Sequence, residues 1–582
     1  MNNSRVVPTP APADLVTFRI VIDGVELGSE YHLVALSVTR TVNKIPSAVM
    51  TLLDGDPAQE DFPLSNSDLL VPGKQIELLA GYHSQEDTIF KGIIVSHSIK
   101  ARSNKPSALT IELKDKAVGM TLGRKSKYFV EMTDSDIMEE LLGAYALETD
   151  VESTDAIHAE MVQYYATDWD FLVSRADVNG KLVMVDDGKV HVTSPDCGQE
   201  AVVSLIYGST MLEFEASLDA RNQLEAVKSA SWDYAEQAMI EEEGDDPQYN
   251  GQGNIDGGTL AGVLGLDSFP LTHTGQVRDR ELKAWADAQL LKSRMARIIG
   301  RVKCQGIAGV KPGAVVELQG VGDRFNGNAF VTAVRHSLTR ENWETNIQFG
   351  LSPEWFAQKV RIEDNQASAL VPPVHGLQIG IVTALEGDPD GEHRVQVKMP
   401  VISTEDEGVW ARVACVDAGD SRGVYFRPEI GDEVVLGFLN DDPRDPLVLG
   451  MLNSSAKPAP IEAADDNHEK AIVTRSELKV VFNDDEVSLT IETPNGNKIV
   501  ISDNDGGIAL EDENSNKIEM TSDGITFDSP SDISISSQGD VKIEGNNIEM
   551  AAQAQFKAEG PAGAELTSGA ICKVEGSLVQ IN

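Results

Sequence analysis

Four cysteines in 582 residues, Cys197, Cys304, Cys415 and Cys572, are too few and too far apart for a disulfide framework or a zinc site and fit reduced cytosolic thiols. Long apolar runs are missing as well. No stretch of 18 apolar residues occurs, which excludes a membrane-spanning helix. The first 20 residues, rich in Pro, Ala and Asn, lack the apolar segment of a signal peptide, so the chain is expected to be made in the bacterial cytoplasm outside the general secretion route. Basic residues are scarce: 48 Lys and Arg stand against 93 Asp and Glu, for a net charge of −45. Binding a phosphate backbone needs clustered cations, so a nucleic-acid partner is excluded. His-Glu-x-x-His, a Walker loop and Cys-x-x-Cys are all absent, and the reading is no enzyme, no cofactor and no metal. The ten histidines end at His468, leaving none to bind a metal near the C-terminus.

What the chain does have is a repeat. From 499 to 581, apolar pairs on alternate positions recur every seven or eight residues after wider first gaps: Ile499/Ile501, Ile508/Leu510, Ile518/Met520, Ile525/Phe527, Ile533/Ile535, Val541/Ile543, Ile548/Met550, Phe556/Ala558, Ala564/Leu566, a weak position at Ile571, and Val579/Ile581. Period two makes each pair the inward face of a short strand, with Gly, Asn and Asp turning the chain between them. Two side chains per strand cannot offset an ordering cost of about 1–2 kcal/mol per residue, so the strands must stack on others. A single-chain solenoid and a prism of three interwound chains both meet that need; the latter would be a rod on the order of 50 Å long. Ile518, Ile525, Phe527, Ile533, Ile535, Val541, Ile543 and Ile548 are the expected needle core. The outside is acidic, with 15 Asp and Glu against 5 Lys from Asn495 onward, which discourages edge-to-edge aggregation.

Two polar, Pro-containing stretches divide the rest: residues 362–373 and 454–478 read as linkers. Between them, 374–453 carries five strand-like runs at 380–383, 394–399, 409–414, 433–438 and 447–449, as in a small barrel of the oligonucleotide/oligosaccharide-binding (OB) type. Asp388-Pro-Asp-Gly391 reads as a hairpin turn. Residues 1–361 begin with strand-like runs at 18–23, 32–40, 49–53, 75–81, 88–96 and 108–113. A capping box then opens a helix at Thr133 and Asp136, a second helix follows Asp168 as its cap, and a third runs from Asp279 with Ala284, Ala288, Leu291, Met295 and Ile298 as one stripe. The acidic, Gly-rich segment 241–276 reads as a surface loop. The fold class is mainly β with an α+β part, ending in a needle at 479–582.

Several blocks resemble a known family. Tyr165-Ala-Thr-Asp-Trp-Asp-Phe-Leu172, Gly180-Lys-Leu-Val-Met184, Asp187-Gly-Lys-Val190 and Gly327-Asn-Ala-Phe-Val-Thr-Ala-Val-Arg-His336 are similar to hub segments of the VgrG-type spike proteins of contractile injection systems, which fuse phage tail hub and spike. Gly423-Val-Tyr-Phe-Arg-Pro-Glu-Ile-Gly-Asp-Glu-Val-Val-Leu-Gly-Phe438 and Asp442-Pro-Arg-Asp-Pro-Leu-Val-Leu-Gly450 are similar to the family's barrel block. The signature positions are Asp168, Trp169, Phe171, Pro428, Gly431, Asp432, Glu433, Pro446 and Gly450.

The resemblance implies a homotrimer whose tandem hub barrels (1–361) dock a hexameric inner tube among baseplate proteins, whose OB-fold makes a collar, and whose trimeric intertwined β-helix pierces the target membrane in transient contact. It selects the three-chain prism over the solenoid. A PAAR-like tip protein is then expected on the last strand, at Leu578, Val579, Ile581 and Asn582, and the assembly is delivered outside the cell with its particle. A short needle with nothing after it favours a phage-tail-like extracellular particle over type VI secretion. The alternative function is a spike-associated cell-wall hydrolase, separable by peptidoglycan zymography.

Overall fold

The computed structural model describes residues 15–581 apart from 29, 104, 248, 250 and 363, and the chain divides into two compact units between Pro373 and Val374. In the first unit, alternation of buried and exposed residues builds one 13-stranded sheet. Leu33–Thr41, for example, turns Leu33, Leu36, Val38 and Arg40 inward. The sheet has two lobes with separate cores. Val16–Ile22, Leu33–Thr41, Ser47–Leu53, Gln75–Tyr82, Gln85–Arg102 and Lys105–Lys114 enclose Met50, Leu78, Phe90 and Ile111, all essentially inaccessible. Met211–Leu218, Ile298–Gln305, Val315–Gln319 and Trp343–Phe349 enclose Val302, Ile347 and Phe349. Strand Gly327–Leu338 joins them: it pairs with Leu33–Thr41, sends Val331 and Val334 into one core and ends with Leu338 in the other. The two expected hub barrels are therefore lobes of a continuous sheet.

An α+β layer is inserted between the lobes in sequence. Helix α1 (Asp134–Gly143) starts at the expected capping box: the Thr133 hydroxyl accepts from the Asp136 amide at 3.1 Å, and the Asp136 carboxylate accepts from the Thr133 amide at 3.0 Å. Helix α2 (Asp168–Val178) packs with α1 over a ribbon of Lys125–Thr133 and Ile157–Ala166 and a small sheet of Glu148–Val151, Leu182–Asp186 and Lys189–Thr193.

The segment 241–276 is not a loop. Ala238–Glu243 and Phe269–His273 flank Val227–Asp233 in a three-stranded sheet, and the short helix α3 (Gly257–Ala261), capped by Asp256, lies between them. Its glycines and acids mark reversals, while Leu260, Ala261 and Leu271 supply the burial; so few apolar residues give no readable period. Helix α4 (Asp279–Met295) stops three residues before Ile298, which already belongs to a strand. It is covered on two sides, with Leu291 and Met295 in one core and Ala286 and Leu290 in another, so the single stripe captured half of its buried surface.

The second unit opens with a closed five-stranded barrel in the order Gln378–Ala384, Val395–Lys398, Val409–Val413, Pro446–Met451 and Glu433–Phe438, filled by Val382, Val395, Val397, Ala411, Val434, Leu436 and Val448. All five expected runs are its walls. Beyond it, seven five-residue strands from Glu469–Val473 to Gly524–Asp528 form an antiparallel meander, the first of them inside the stretch 454–478 read as a linker. Residues 529–581 are in no strand within the single chain.

Candidate functional site: signature segments and unpartnered faces

In the Tyr165–Leu172 block the cap of α2 is Thr167, whose hydroxyl accepts from the Asp170 amide at 3.0 Å, not Asp168. Asp168, the next residue, is buried and accepts from Lys125 Nζ at 2.6 Å, the Tyr145 hydroxyl at 2.5 Å and Gln163 Nε2 at 2.9 Å. Burial pushes its carboxyl up, and these donors together outweigh it and hold the group below the usual range. Trp169 is buried in the core beneath, and Phe171 stacks on Phe129 with centroids 6.0 Å apart. The signature thus locks α2 onto the ribbon; its acid is ionised and enclosed.

Two further ionic clusters lie in the same unit. Asp134, at the start of α1, is 1% exposed and meets Arg175 of α2 at 2.6 Å and 2.9 Å, His158 Nε2 at 3.0 Å and Asn179 Nδ2 at 2.8 Å; Arg175 also reaches Glu281 of α4 at 2.8 Å. Desolvation raises the Asp134 pKa, but the His158 and Arg175 contacts prevail and drive it far down. Arg40, buried in the sheet, donates to Asp186 at 2.5 Å, Asp187 at 2.7 Å and the Ile89 carbonyl at 2.8 Å, while Lys311 meets Asp186 at 2.7 Å. This pins the Asp187-Gly188 turn, one of the resembling motifs, against the sheet. The reading of the sequence missed both clusters because bonded partners in them lie up to about 150 positions apart, where spacing carries no signal. Asp115 and Asp187 are both held above the usual carboxylate range, chiefly by burial: Asp187 is already paired with Arg40 and accepts from the Lys91 amide, and the fully enclosed Asp115 accepts from the Ala117 and Gly188 amides as a turn anchor. A general acid at a cleft needs a raised pKa and access together. Asp115 has only the first. Among the described residues no cluster of three or more His, Cys, Asp or Glu is placed to hold a metal ion.

In the barrel, Pro428 is buried and leads into a tight reversal: the Asp432 amide bonds the Glu429 carbonyl at 3.0 Å, and the Asp432 carboxylate accepts from the Glu429 amide at 2.8 Å. Gly431 sits there at φ +88°, a conformation that costs a side-chain-bearing residue strain, and donates to the Val382 carbonyl at 2.8 Å. Glu433 begins the next strand and Pro446 the last one. Gly450 pairs with Val435 inside that last strand, which continues to Met451, two residues past the run expected at 447–449, because Met451 still finds a partner in Val434. Asp388 accepts from the Glu392 and Arg394 amides at 2.9 Å and 3.1 Å and pairs with Arg394, the expected turn.

The meander carries the largest unpartnered surface. Its registers align Val480, Ile491, Ile499, Leu510, Ile518 and Phe527 in one row, and Phe482, Leu489, Ile501, Ile508, Met520 and Ile525 in a second row on the same face. Among the described residues nothing covers it along its length. Ile525 and Phe527 are 62% and 64% exposed, and an open groove of about 650 Å³ runs along this face from Ile491 to Ile533. Downstream, Ile533, Ile535, Val541, Ile543 and Ile548 are exposed, as are Leu578, Val579 and Ile581 at the end; Asn582 lies outside the described residues. A soluble chain rarely leaves so much contiguous apolar surface without a partner.

Residues 12–340, more than half of the chain, match the family described as Alg8 N-terminal domain; 378–452 match the type VI secretion system/phage-baseplate injector OB domain; and 488–582 match the phage baseplate V C-terminal trimerisation domain. The type VI secretion system spike protein VgrG1a of Pseudomonas aeruginosa is 27% identical over 190 residues, 30% of this chain and 29% of that one. Spike protein VgrG3 of Vibrio cholerae is 34% identical over 113 residues, 18% and 11% of the two chains. The chain thus spans less than a third of the length of these curated relatives. Among solved structures, a tail protein from Neisseria meningitidis MC58 aligns at 15% identity over 59% of this chain and 98% of its own, with a TM-score of 0.42. An Escherichia coli component of the type VI secretion system aligns at 15% identity over 74% and 99%, with a TM-score of 0.36.

Proposed function

The chain belongs to the Alg8 N-terminal domain family and carries the injector OB and trimerisation domains of a VgrG-type spike, and from that premise we propose that it is the homotrimeric hub and spike of a contractile injection apparatus. The observation that carries the reading is the apolar face of the meander and of 529–581, which one chain cannot bury and which from residue 488 onward lies within the trimerisation match. Three copies around an axis would turn those faces toward one another, as a closed-symmetry assembly requires. The 13-stranded sheet of each hub unit then serves as the docking platform for a hexameric inner tube among baseplate proteins, the barrels as a collar, and the acidic prism as a rod driven transiently into the target membrane.

Three copies of Ile533, Val541 and their neighbours give such a rod a dry axis, and because each chain's strands depend on the other two, none peels away without breaking inter-chain ladders. The role is mechanical, without catalysis: the buried acids are matched by cations or by turn amides, the arrangement of a rigid scaffold. Synthesis in the cytoplasm, export with the particle and placement in a phage-tail-like extracellular particle belong to the same proposal, and electron microscopy of the native assembly would distinguish a free sheathed particle from an envelope-anchored one. Light scattering of the full chain at micromolar concentration should give a trimer mass; a monomer would overturn the reading.

The same proposal places the tip site at Leu578, Val579 and Ile581, whose exposed apolar side chains would meet a PAAR-like cone. Removing residues 577–582 should leave the trimer intact and abolish capture of the tip protein in a pull-down; undiminished capture would place the partner elsewhere.

A further inference from the structure

We propose that the inter-chain segment of the needle is registered by a recurring unit, apolar-Lys-apolar-Glu-Gly, whose Lys and Glu stay outside and whose apolar residues face the same residues of two further copies; this rests on the homotrimer reading above. The unit occurs three times, as Val541-Lys-Ile-Glu-Gly545, Phe556-Lys-Ala-Glu-Gly560 and Cys572-Lys-Val-Glu-Gly576. The spacings are 15 and 16 residues, two turns of the seven- or eight-residue repeat. In each unit the lysine pairs with the glutamate two positions on: Lys542 with Glu544, Lys557 with Glu559 and Lys573 with Glu575.

In an extended chain a lysine and a glutamate two apart leave on one face and can meet, and the flanking residues leave on the other. Lys517 and Glu519, 3.0 Å apart in the intrachain meander, calibrate the rule: there the flanking Ile518 and Met520 lie in the two apolar rows. The charged faces suit water, and the opposite faces, Val541/Ile543 and Phe556/Ala558, suit an axis.

The consequence is a corrected register near the end. Apolar spacing alone put the weak position at Ile571; the ion pair moves it to Cys572 and Val574 and turns Ile571 outward. The occupant of the inner face is a second and third copy of this chain, because the trimerisation match runs through all three units.

Cys572 reports on this without any change in the needle. In the full chain carrying Cys415→Ser, the other two cysteines, Cys197 and Cys304, are buried, so maleimide uptake by the native protein reads Cys572. A companion protein carries Lys573→Cys with Cys572→Ser. With a trimer mass confirmed by light scattering, Cys572 should label about tenfold or more slowly than a cysteine at 573, and at the same rate after full denaturation. Equal or faster labelling of Cys572 in an intact trimer would overturn the register while leaving the trimer reading in place. A monomeric mass would overturn both. If the companion protein fails to assemble, slow native and fast denatured labelling of Cys572 alone still decides the point.

Discussion

Replacing Ile533 by Asp should abolish the trimer, whereas Ser534→Asp should leave it unchanged. Ile533 is the first apolar residue beyond the meander, it borders the groove with Ile491, Ile499, Leu510, Ile518 and Phe527, and it is 59% exposed in the single chain. In a three-fold needle the same change occurs three times around one axis. Each carboxylate would lose its water without gaining a cation, a cost on the order of 3 kcal/mol or more per copy, and the three would repel one another across a narrow apolar space. Neutralising them by protonation would itself require the pKa to climb far above its usual value. Alternation in such a needle would turn Ser534 to the opposite face, where another acid would join an already acidic surface. Light scattering and resistance to mild denaturant are the measurements, and equal effects of the two substitutions would reverse the assignment of inner and outer faces.

Asp134→Ala should cost the first unit about 3–5 kcal/mol, among the largest single effects available outside the needle. The side chain removed is fully buried and serves three donors at once, Arg175, His158 and Asn179. Its loss leaves a largely buried guanidinium with only Glu281 as an acidic partner and unties α1 from α2 and α4. Asp134→Asn keeps the size and part of the hydrogen bonding and should cost less. The wild type carries a matching pH signature. The folded-state pKa of Asp134 lies well below its ordinary value of 3.8, so the stabilisation is fully present above about pH 4 and is lost as the pH falls through the depressed pKa. Denaturation of the first unit followed between pH 5 and 2 should show a steep fall for the wild type and a shallower one for the Asp134→Ala protein. Parallel curves would show that the cluster contributes nothing specific.

Much of the fold could be read from residue types because short-range rules govern it. The five barrel walls follow from alternation between turns. The opening of α1 follows from a Thr and an Asp three apart, and the reversal at 428–432 follows from a proline, an Asx-type acceptor and a glycine at positive φ. The assignment of Asp168 as the cap of α2 failed for an instructive reason: Thr167 and Asp168 are both good caps, and what separates them is Lys125, Tyr145 and Gln163, which draw Asp168 inward from positions too remote to weigh locally. The segment 241–276 was misread because its strands depend on Val227–Asp233 and α4 for cover. Glycines and acids at its reversals outnumber the few residues that bury.

By itself, the sequence determined which residues face together. Period-two alternation sets one apolar and one polar face from 499 to 528, where the strand registers carry it, since the pleat of an extended chain assigns faces residue by residue. It also determined that this surface must find a partner, because two side chains per strand cannot offset their own ordering. Only the tertiary structure decided who that partner is along the way. Up to Asp528, strands of five residues joined by reversals of mostly four or five return the chain to its own ladder, so the hydrogen bonds close within one molecule. From 529 the apolar pairs continue with no intrachain ladder, the stretch assigned above to pairing between the proposed copies. Faces depend on the identity of neighbours two positions apart, whereas pairing depends on where a turn delivers the next strand, a long-range outcome that the alternation does not contain.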